Sequence, residues 1–219
     1  MSQKSLLMPW LDFWEPCFRH ESDFFVIIRY MQKQIILAST SPRRKQLLSL
    51  LAISFKAVES GFQEKIHQRI PPQKLVKQLA LGKAKAAAKK YRNAIIIGAD
   101  TIVVHNGKAM GKPKSKAEAE KMLKSFSGKD QFIFSALAIT DGKKVFVALD
   151  KVKITFRKLS HPEIAAYINT GEPMDRAGSY ALQDLGFNLV AALQGDLSTA
   201  MGMPMTLVYN GLKEFGVKI

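Results

Sequence analysis

The segment at residues 35–45 reads Ile-Ile-Leu-Ala-Ser-Thr-Ser-Pro-Arg-Arg-Lys and joins a predicted strand to a predicted helix. Residues 35–38 are apolar, which is typical of a short buried strand. Ser41 followed by Pro42 indicates a helix start, because serine is a favoured N-cap residue and proline fits the first helical position. A strand that passes directly into a helix, which we expect to run through Ala52, predicts an α/β fold.

The charge that follows this helix start is unusual. A helix N-terminus carries about half a positive elementary charge and favours acidic residues in its first turn, yet Arg43, Arg44 and Lys45 stand there. A solvated basic turn is one interpretation. The other is that an anion binds at this point, because backbone N–H groups, serine hydroxyls and two guanidinium groups can share phosphate oxygens. We favour a triphosphate-binding turn.

The rest of the chain alternates between the two kinds of periodicity, which again predicts an α/β protein. Capping-box pairs at Ser115 with Glu118 and at Ser160 with Glu163 mark two helix starts. The predicted helices cover 72–91, 115–127, 160–170 and a C-terminal segment from Pro204. The predicted strands cover 95–104, 131–140, 144–157 and about 186–193, with a hairpin turn at 105–108.

Two charged residues stand in apolar surroundings. Asp100 lies within the run Ile-Ile-Ile-Gly-Ala-Asp-Thr-Ile-Val-Val at 95–104, and a buried carboxylate must bind a cation or accept backbone hydrogen bonds. Gly98 is interpreted as a kink that turns Asp100 toward a cleft. Lys83 falls on the packed face of its predicted helix, where it either extends to solvent or reaches a phosphate site.

A fourth feature is the short rigid turn Gly111-Lys112-Pro113, which could direct the Lys112 ammonium at a ligand. Other chemistries find no support in the sequence. The P-loop pattern is absent, and the four histidines do not have metal-ligand spacing.

The composition favours an anionic partner. The chain has 33 Lys and Arg against 18 Asp and Glu, a formal charge of +15, which attracts nucleic acid, anionic membranes and polyphosphates alike.

Cys17 is the single cysteine and no apolar run reaches about 18 residues, so we expect a cytoplasmic protein without a membrane span. Residues 1–30 are rich in aromatic residues without steady periodicity and are interpreted as an N-terminal extension, disordered or upstream of the native start. The alternative is a tail that binds a membrane surface or a partner. The domain then comprises residues 31–219.

These features resemble the Maf family in order and spacing. The matching segments are LASTSPRR at 37–44, GADTIV at 98–103, GKP at 111–113, TGEPMDRAGSYALQ at 170–183 and GDLSTAMGMPM at 195–205. Three positions depart from the family pattern: Gln63 replaces an acidic neighbour of Glu64, SGKDQFIFSA lacks a Thr-His pair, and LQDLG replaces IQG. The SPRR and GADT versions are similar to the branch that acts on dTTP and UTP.

The resemblance implies an elongated mixed β-sheet flanked by helices, with two lobes around a cleft, as in the Maf and ITPase-like fold. It implies cleavage of a nucleoside triphosphate between the α and β phosphates with Mg²⁺ or Mn²⁺, and it favours a homodimer. By position, Glu64 and Asp100 would hold the metal and activate water, and Gln183 would help to read the base. The phosphates would be bound by Ser39, Arg43, Arg44, Lys83 and Lys112.

One alternative uses the same positive charge differently. A nucleic-acid or septum-associated binding protein could hold phosphodiesters in the basic cleft without hydrolysing them. Such proteins usually show a groove-reading helix or stacking aromatics on a basic sheet, and the ordered motifs above do not indicate either. We therefore expect a nucleotide hydrolase that does not bind nucleic acid or membranes.

Overall fold

The apolar residues at 35–37 form an interior strand of a mixed sheet. The computed structural model describes residues 33–63 and 70–219, so the predicted N-terminal extension and Glu64 lie outside the described residues. Strand β1 is Gln34–Leu37, helix α1 is Pro42–Ser49 and β2 is Phe55–Ala57. Helix α2 spans Pro72–Lys90, and the long strand β3 spans Ala94–His105.

The remaining elements follow the predicted alternation closely. They are β4 (Lys108–Met110), α3 (Lys116–Phe126), β5 (Asp130–Thr140), β6 (Val145–Phe156), α4 (His161–Asn169), β7 (Val190–Gln194), α5 (Leu197–Ala200) and α6 (Met205–Glu214). Three 3₁₀ turns lie between α4 and β7, at Glu172–Asp175, Ala177–Ser179 and Leu185–Leu189. The strand predicted at 186–193 therefore begins later, at Val190.

Within the described residues the sheet has seven strands, in the order β2-β1-β3-β5-β6-β7, with β4 paired to one end of β3. Strand β1 pairs in parallel with both β2 and β3. The pairs β3–β5, β5–β6 and β6–β7 are antiparallel. This arrangement confirms the predicted mixed sheet flanked by helices. No helix in the described part of the chain is both long and apolar enough to cross a membrane.

Three apolar clusters explain how the helices pack. Helix α2 covers one face of the sheet through residues such as Val76, Ala80 and Ala84. On the opposite face, α1 and α6 pack over one end of the long strands, and α3 and α4 pack over the other end. The two helix pairs therefore form two lobes that share β3 and β5, and the middle of these strands lies between them.

Gly98 has a different role from the kink expected. The pairing of β3 with β5 continues without interruption through Gly98, which stands opposite Ala138. A Cβ atom at Gly98 would lie 2.5 Å from the Ala80 carbonyl oxygen and 2.7 Å from the Ala84 backbone nitrogen. Gly98 is therefore needed for the close approach of α2 to the sheet, and ordinary strand alternation turns Asp100 toward α2.

Candidate active site

A cavity of about 820 Å³ opens beside the carboxyl end of β1. Strand β1 pairs with β3 as far as Ile97, and β4 pairs with β3 only from Val103 onward. Among the described residues, the segment between them has a strand neighbour only on the β5 side. A ligand site is expected here, because α/β proteins bind ligands outside the carboxyl ends of their parallel strands.

The cavity brings together the substrate-binding residues that the sequence predicts, five for the phosphates and Gln183 for the base. Its wall includes Ser39, Arg43, Arg44, Lys83, Lys112 and Gln183. These six residues come from four separate parts of the chain, and each belongs to one of the motifs or features that the sequence singled out. The structure therefore brings the predicted cations to one surface. Their individual roles in catalysis remain predictions.

The start of α1 confirms Ser41 as N-cap and Pro42 as the first helical residue, but the Ser41 side chain makes no capping hydrogen bond. Instead, the buried Ser39 hydroxyl accepts a hydrogen bond from the Ser41 backbone N–H, at 3.2 Å. The first turn contains no acidic residue. The N-terminal end of α1 thus faces the cavity with a positive potential that a bound anion would satisfy.

Arg44 is held in one orientation by three parts of the chain. Its Nε donates to the Gly202 carbonyl oxygen at 2.9 Å, Nη1 donates to Ser39 Oγ at 3.4 Å, and Nη2 donates to Thr101 Oγ1 at 3.3 Å. Gly202 has a φ of +103°, a conformation that L side chains rarely adopt. The Arg44 guanidinium is therefore positioned before any ligand arrives, which lowers the entropic cost of binding an anion.

A buried hydrogen-bond chain supports Arg44 from behind. Thr101 Oγ1 lies 2.9 Å from Ser135 Oγ, which donates to the Thr199 carbonyl oxygen at 2.7 Å. The Thr199 hydroxyl in turn donates to Asp150 Oδ2 at 2.5 Å. Ser135 and Thr199 are fully buried. This chain connects β3, β5, α5 and β6 beneath the cavity and was not expected from the sequence.

Lys83 and Asp100 form an ion pair at the cavity edge. The Lys83 ammonium lies 2.5 Å from Asp100 Oδ1, and the two side chains are 14% and 10% exposed. Lys83 extends from α2 and lines the cavity, while Asp100 lies on the face of β3 that meets α2. Of the two interpretations open for Lys83, the structure therefore favours the one in which it reaches the site.

Arg43 contacts Gln183 across the cavity. With the amide oriented so that donors meet acceptors, the Gln183 oxygen accepts from Arg43 Nη1 at 2.7 Å and from Nε at 3.2 Å. Partial burial, and after it the neighbouring Arg176 guanidinium, lower the pKa of Arg43, while Asp184 and Asp175 oppose this shift. Arg43 thus lies in a cluster of alternating charges at one side of the cavity.

Arg176 is a cavity-lining cation that sequence reasoning did not single out. Its Nη2 donates to Asp184 Oδ2 at 3.3 Å, and its buried Nε has no hydrogen-bond partner within the described residues. Arg176 lies inside the TGEPMDRAG segment, so its place in this motif could have identified it as a candidate site residue. Position 176 adds a third guanidinium to those of the SPRR turn.

Lys112 lies at the exposed rim of the cavity. Its ammonium is 2.5 Å from Asp175 Oδ1, and this contact lowers the pKa of the Asp175 carboxyl. The Gly111 carbonyl oxygen accepts a hydrogen bond from the Gly178 N–H at 3.0 Å, which joins the GKP turn to the late motif. Two segments more than sixty residues apart in sequence are thereby fixed on the same side of the cavity.

The cavity also has an apolar wall next to Gln183. Tyr180, Ala181 and Leu182 are buried and line it. The Tyr180 ring packs edge-on against Phe156, and burial raises the pKa of its hydroxyl. A cationic side and an apolar side in one cavity suit a ligand that combines phosphates with a ring.

The carboxylates present are compatible with a divalent cation. No group of three or more His, Cys, Asp or Glu side chains converges within residues 33–63 and 70–219. However, Mg²⁺ usually needs only one or two carboxylates when substrate phosphates supply further oxygen ligands. Asp100 offers such a carboxylate beside the cavity-lining Lys83. The donor chemistry therefore fits Mg²⁺ or Mn²⁺.

The fold and the site define an α/β protein with a cation-lined cavity at a strand-to-helix turn. The family model described as Maf-like protein matches residues 34–215, and the chain belongs to this family. The family resemblance noted in the sequence is thereby confirmed.

Curated relatives match over most of their length. The dTTP/UTP pyrophosphatase of Dictyoglomus turgidum is 42% identical over 192 residues, covering 86% of this chain and 100% of that protein. The dTTP/UTP pyrophosphatase of Aquifex aeolicus is 40% identical over 186 residues, covering 84% and 96%. Among solved structures, the Staphylococcus aureus Ham1 protein covers 84% of this chain and 97% of its own, with 13% identity and a TM-score of 0.47.

Proposed function

We propose that this chain hydrolyses nucleoside triphosphates, dTTP and UTP among them, to a nucleoside monophosphate and pyrophosphate. One observation carries the proposal: Arg43, Arg44 and Lys83 converge on one cavity beside the buried carboxylate of Asp100. Relatives about 40% identical over nearly their whole length are named dTTP/UTP pyrophosphatases. A role in removing unwanted nucleotides or in cell division would be consistent with this activity.

The reaction would break one phosphoanhydride bond. The oxygen of a water molecule forms a bond to the α-phosphorus, the bond from that phosphorus to the α–β bridging oxygen breaks, and pyrophosphate leaves. Such phosphoryl chemistry depends mainly on positioning and on charge stabilisation. Arg44 is suited to this task because Gly202, Ser39 and Thr101 fix its guanidinium in advance.

Lys83 and Asp100 would act as a pair in this reaction. The Asp100 carboxylate would accept the proton of the attacking water, and the Lys83 ammonium, 2.5 Å away, would hold this carboxylate in place. Because Lys83 also lines the cavity, a second N–H group of the same ammonium can contact a phosphate oxygen. The pair would thus connect the base to the substrate.

A divalent cation, held by Asp100 together with Glu64, would neutralise charge on the phosphates when bound. Ser39 and Lys112, which both line the cavity, would add contacts to the phosphate oxygens. Because the Lys112 side chain is exposed and water screens its charge, its contribution would be smaller than that of the mostly buried Lys83. Gln183 would contact the base.

The test is a substrate panel assayed for pyrophosphate. The full chain is incubated with UTP, dTTP, CTP, GTP and ATP in Mg²⁺ or Mn²⁺, and pyrophosphate and monophosphate are measured together. We expect equal amounts of both products, with release abolished by EDTA and restored by excess metal. Release of inorganic phosphate without pyrophosphate, or no turnover of any triphosphate, would refute the proposal.

The nucleic-acid alternative gives a different result in the same preparation. Duplex binding through a basic surface weakens steeply as salt rises and does not require Mg²⁺. We expect no binding of this kind, because the matching relatives are named pyrophosphatases and Arg43, Arg44, Lys83, Lys112 and Arg176 line one cavity.

A further inference from the structure

Three polar residues stand side by side on neighbouring strands beneath the cavity. Thr101 on β3 pairs with Ser135 on β5, and Ser135 pairs with Asp150 on β6. Side chains of directly paired residues lie on the same face of a sheet, so the three form a polar row across three strands. Asp150 is two strands, or about 10 Å, from Thr101. Because Thr101 contacts Arg44, the row has a cation at one end and a carboxylate at the other.

The hydroxyl hydrogens along this row are ordered. A hydroxyl has one hydrogen to donate, and Ser135 gives its own to the Thr199 carbonyl oxygen at 2.7 Å. In the 2.9 Å contact between the two strand hydroxyls, the donor must then be Thr101, which itself accepts from the Arg44 guanidinium at 3.3 Å. The Thr199 hydroxyl donates to Asp150 at 2.5 Å. Every hydrogen in the chain therefore points away from the Arg44 cation and toward the Asp150 anion.

The same residues hold the segment that supplies another acceptor to Arg44. The Thr199 carbonyl oxygen accepts a second hydrogen bond, from the Gly202 backbone N–H at 3.1 Å, and the Gly202 carbonyl oxygen accepts from Arg44 Nε at 2.9 Å. Arg44 and Gly202 line the cavity. Within the described part of the chain, Ser135, Asp150 and Thr199 lie outside the cavity wall. Asp150 can thus affect a ligand only through the residues that it holds.

We propose that Asp150 is a positioning residue for Arg44. The inference rests on the proposed function, in which Arg44 would bind substrate phosphates. A hydrogen bond to a carboxylate is roughly twice as strong as one to a neutral acceptor, and aligned hydrogen bonds strengthen one another. Asp150 therefore fixes Thr199, and through it the two acceptors behind the Arg44 guanidinium. The competing interpretation is that Asp150 only fastens the short helix α5 to the sheet, without any effect on Arg44.

The first test is binding of α,β-methylene-UTP, a UTP analogue whose carbon bridge blocks cleavage, measured by calorimetry with Mg²⁺ present. Asp150→Ala should weaken this binding about tenfold, as expected for one lost charge-assisted hydrogen bond. Asp150→Asn keeps an oxygen acceptor in nearly the same shape and should weaken it only about two- to threefold. In turnover of UTP, Asp150→Ala should raise KM by about tenfold and change kcat less than about twofold.

The second test asks whether this loss depends on Arg44. Arg44→Lys keeps a cation, so the analogue should still bind measurably, but lysine has no guanidinium fork to be held. Adding Asp150→Ala to Arg44→Lys should therefore cause less than about a twofold further loss, because effects within one hydrogen-bond network are not additive. The matched control is Asp130→Ala, which removes a carboxylate that accepts from the Thr155 hydroxyl at 2.7 Å on the same pair of strands, outside the cavity wall. It should leave binding unchanged.

Melting curves check that each variant is folded, and Asp150→Asn takes the place of Asp150→Ala in both tests if the alanine variant unfolds. Two results would overturn the inference while leaving the proposed function intact. One is binding by Asp150→Ala as tight as that of the unmodified protein. The other is an equal loss with Arg44 present and in Arg44→Lys, which would show that Asp150 only fastens α5. Absence of pyrophosphate release from every triphosphate would instead refute the proposed function, and this inference with it.

Discussion

The Lys83 ammonium and the Asp100 carboxylate meet at 2.5 Å, from helix α2 and strand β3, seventeen residues apart in sequence. Each charge would be costly in its own apolar surroundings. A lysine on the packed face of a helix and a carboxylate in an apolar strand were two separate anomalies in the sequence, and each now helps to explain the other. The pair also places a carboxylate next to the cavity that Lys83 lines.

Asp100→Asn should lower pyrophosphate release by at least about 10²-fold, because an amide cannot accept the proton of water or bind a metal as a carboxylate does. The fold should persist, because Asn has nearly the same shape as Asp and its side-chain oxygen can still accept the hydrogen bond from the Lys83 ammonium. Asp130→Asn is the matched control, because Asp130 is exposed and contacts Thr155 and Lys153 away from the cavity. Full turnover by Asp100→Asn would remove Asp100 from the mechanism.

Lys83→Met should lower kcat/KM by about 10²-fold and should also lower the melting temperature, because it removes the ammonium that compensates Asp100. The matched control is Lys85→Met, two residues along the same helix, where the side chain is exposed. Lys85→Met should change kcat/KM less than about twofold, since isolated surface charges contribute little. Equal losses in both variants would show that net charge matters and the Lys83 position does not.

Ser135→Ala should weaken substrate binding through Arg44. The buried Ser135 hydroxyl joins Thr101 to the Thr199 carbonyl, so its removal leaves both with one partner fewer, at a cost of about 1–2 kcal/mol in unfolding free energy. We expect KM to rise several-fold with little change in kcat. Ser125→Ala removes a comparable hydroxyl, bonded to Met122 within α3, and should leave KM unchanged. A lower melting temperature without a change in KM would show that this hydrogen-bond chain contributes to stability alone.

Glu163→Gln should reveal a pH-dependent contribution to stability. Hydrogen bonds from the Ser160 backbone and side chain, followed by the Arg157 side chain, lower the pKa of Glu163 from 4.5 to about 2. A depressed carboxyl pKa stabilises the folded state above pH 4.5, and this stabilisation is lost as the pH falls toward 2. The variant should therefore melt below the unmodified protein at pH 7, and the two should converge near pH 2. A constant difference across this range would contradict the assignment.

Much of the fold could be predicted because its signals are local. Helix starts at Ser115 and Ser160 depend on residues three positions apart, and the structure places helices at both. The hairpin at 105–108 needs residues that tolerate positive φ, and Asn106 and Gly107 adopt φ values of 48° and 74°. Strands β3 and β5 begin and end within one residue of the predicted bounds. Such short-range rules need no knowledge of distant partners.

The arrangement of the site could be predicted only in part, because its contacts join distant segments. The sequence predicted only that Arg43 binds an anion. Its contact with Gln183 joins distant segments and forms only when the whole sheet is assembled. The position of Arg176 could not be predicted for the same reason, because its place in the cavity depends on how the 3₁₀ turns pack against the GKP turn. Residue type indicated phosphate chemistry, but tertiary packing decides which cation contacts which neighbour.

Gly98 was rightly singled out in the sequence, but the physical reason given for it was wrong. Its neighbours in the sequence suggested a kink, yet a Cβ atom there would press on the α2 backbone at 2.5 and 2.7 Å. Gly98→Ala should therefore force α2 away from β3 and destabilise the protein by roughly 1–3 kcal/mol. Because Lys83 lies on α2, turnover should fall as well. Gly111→Ala is the control for stability, since nothing lies within 4 Å of its Cβ position. If Gly98→Ala melts like the unmodified protein, close packing is not what position 98 requires.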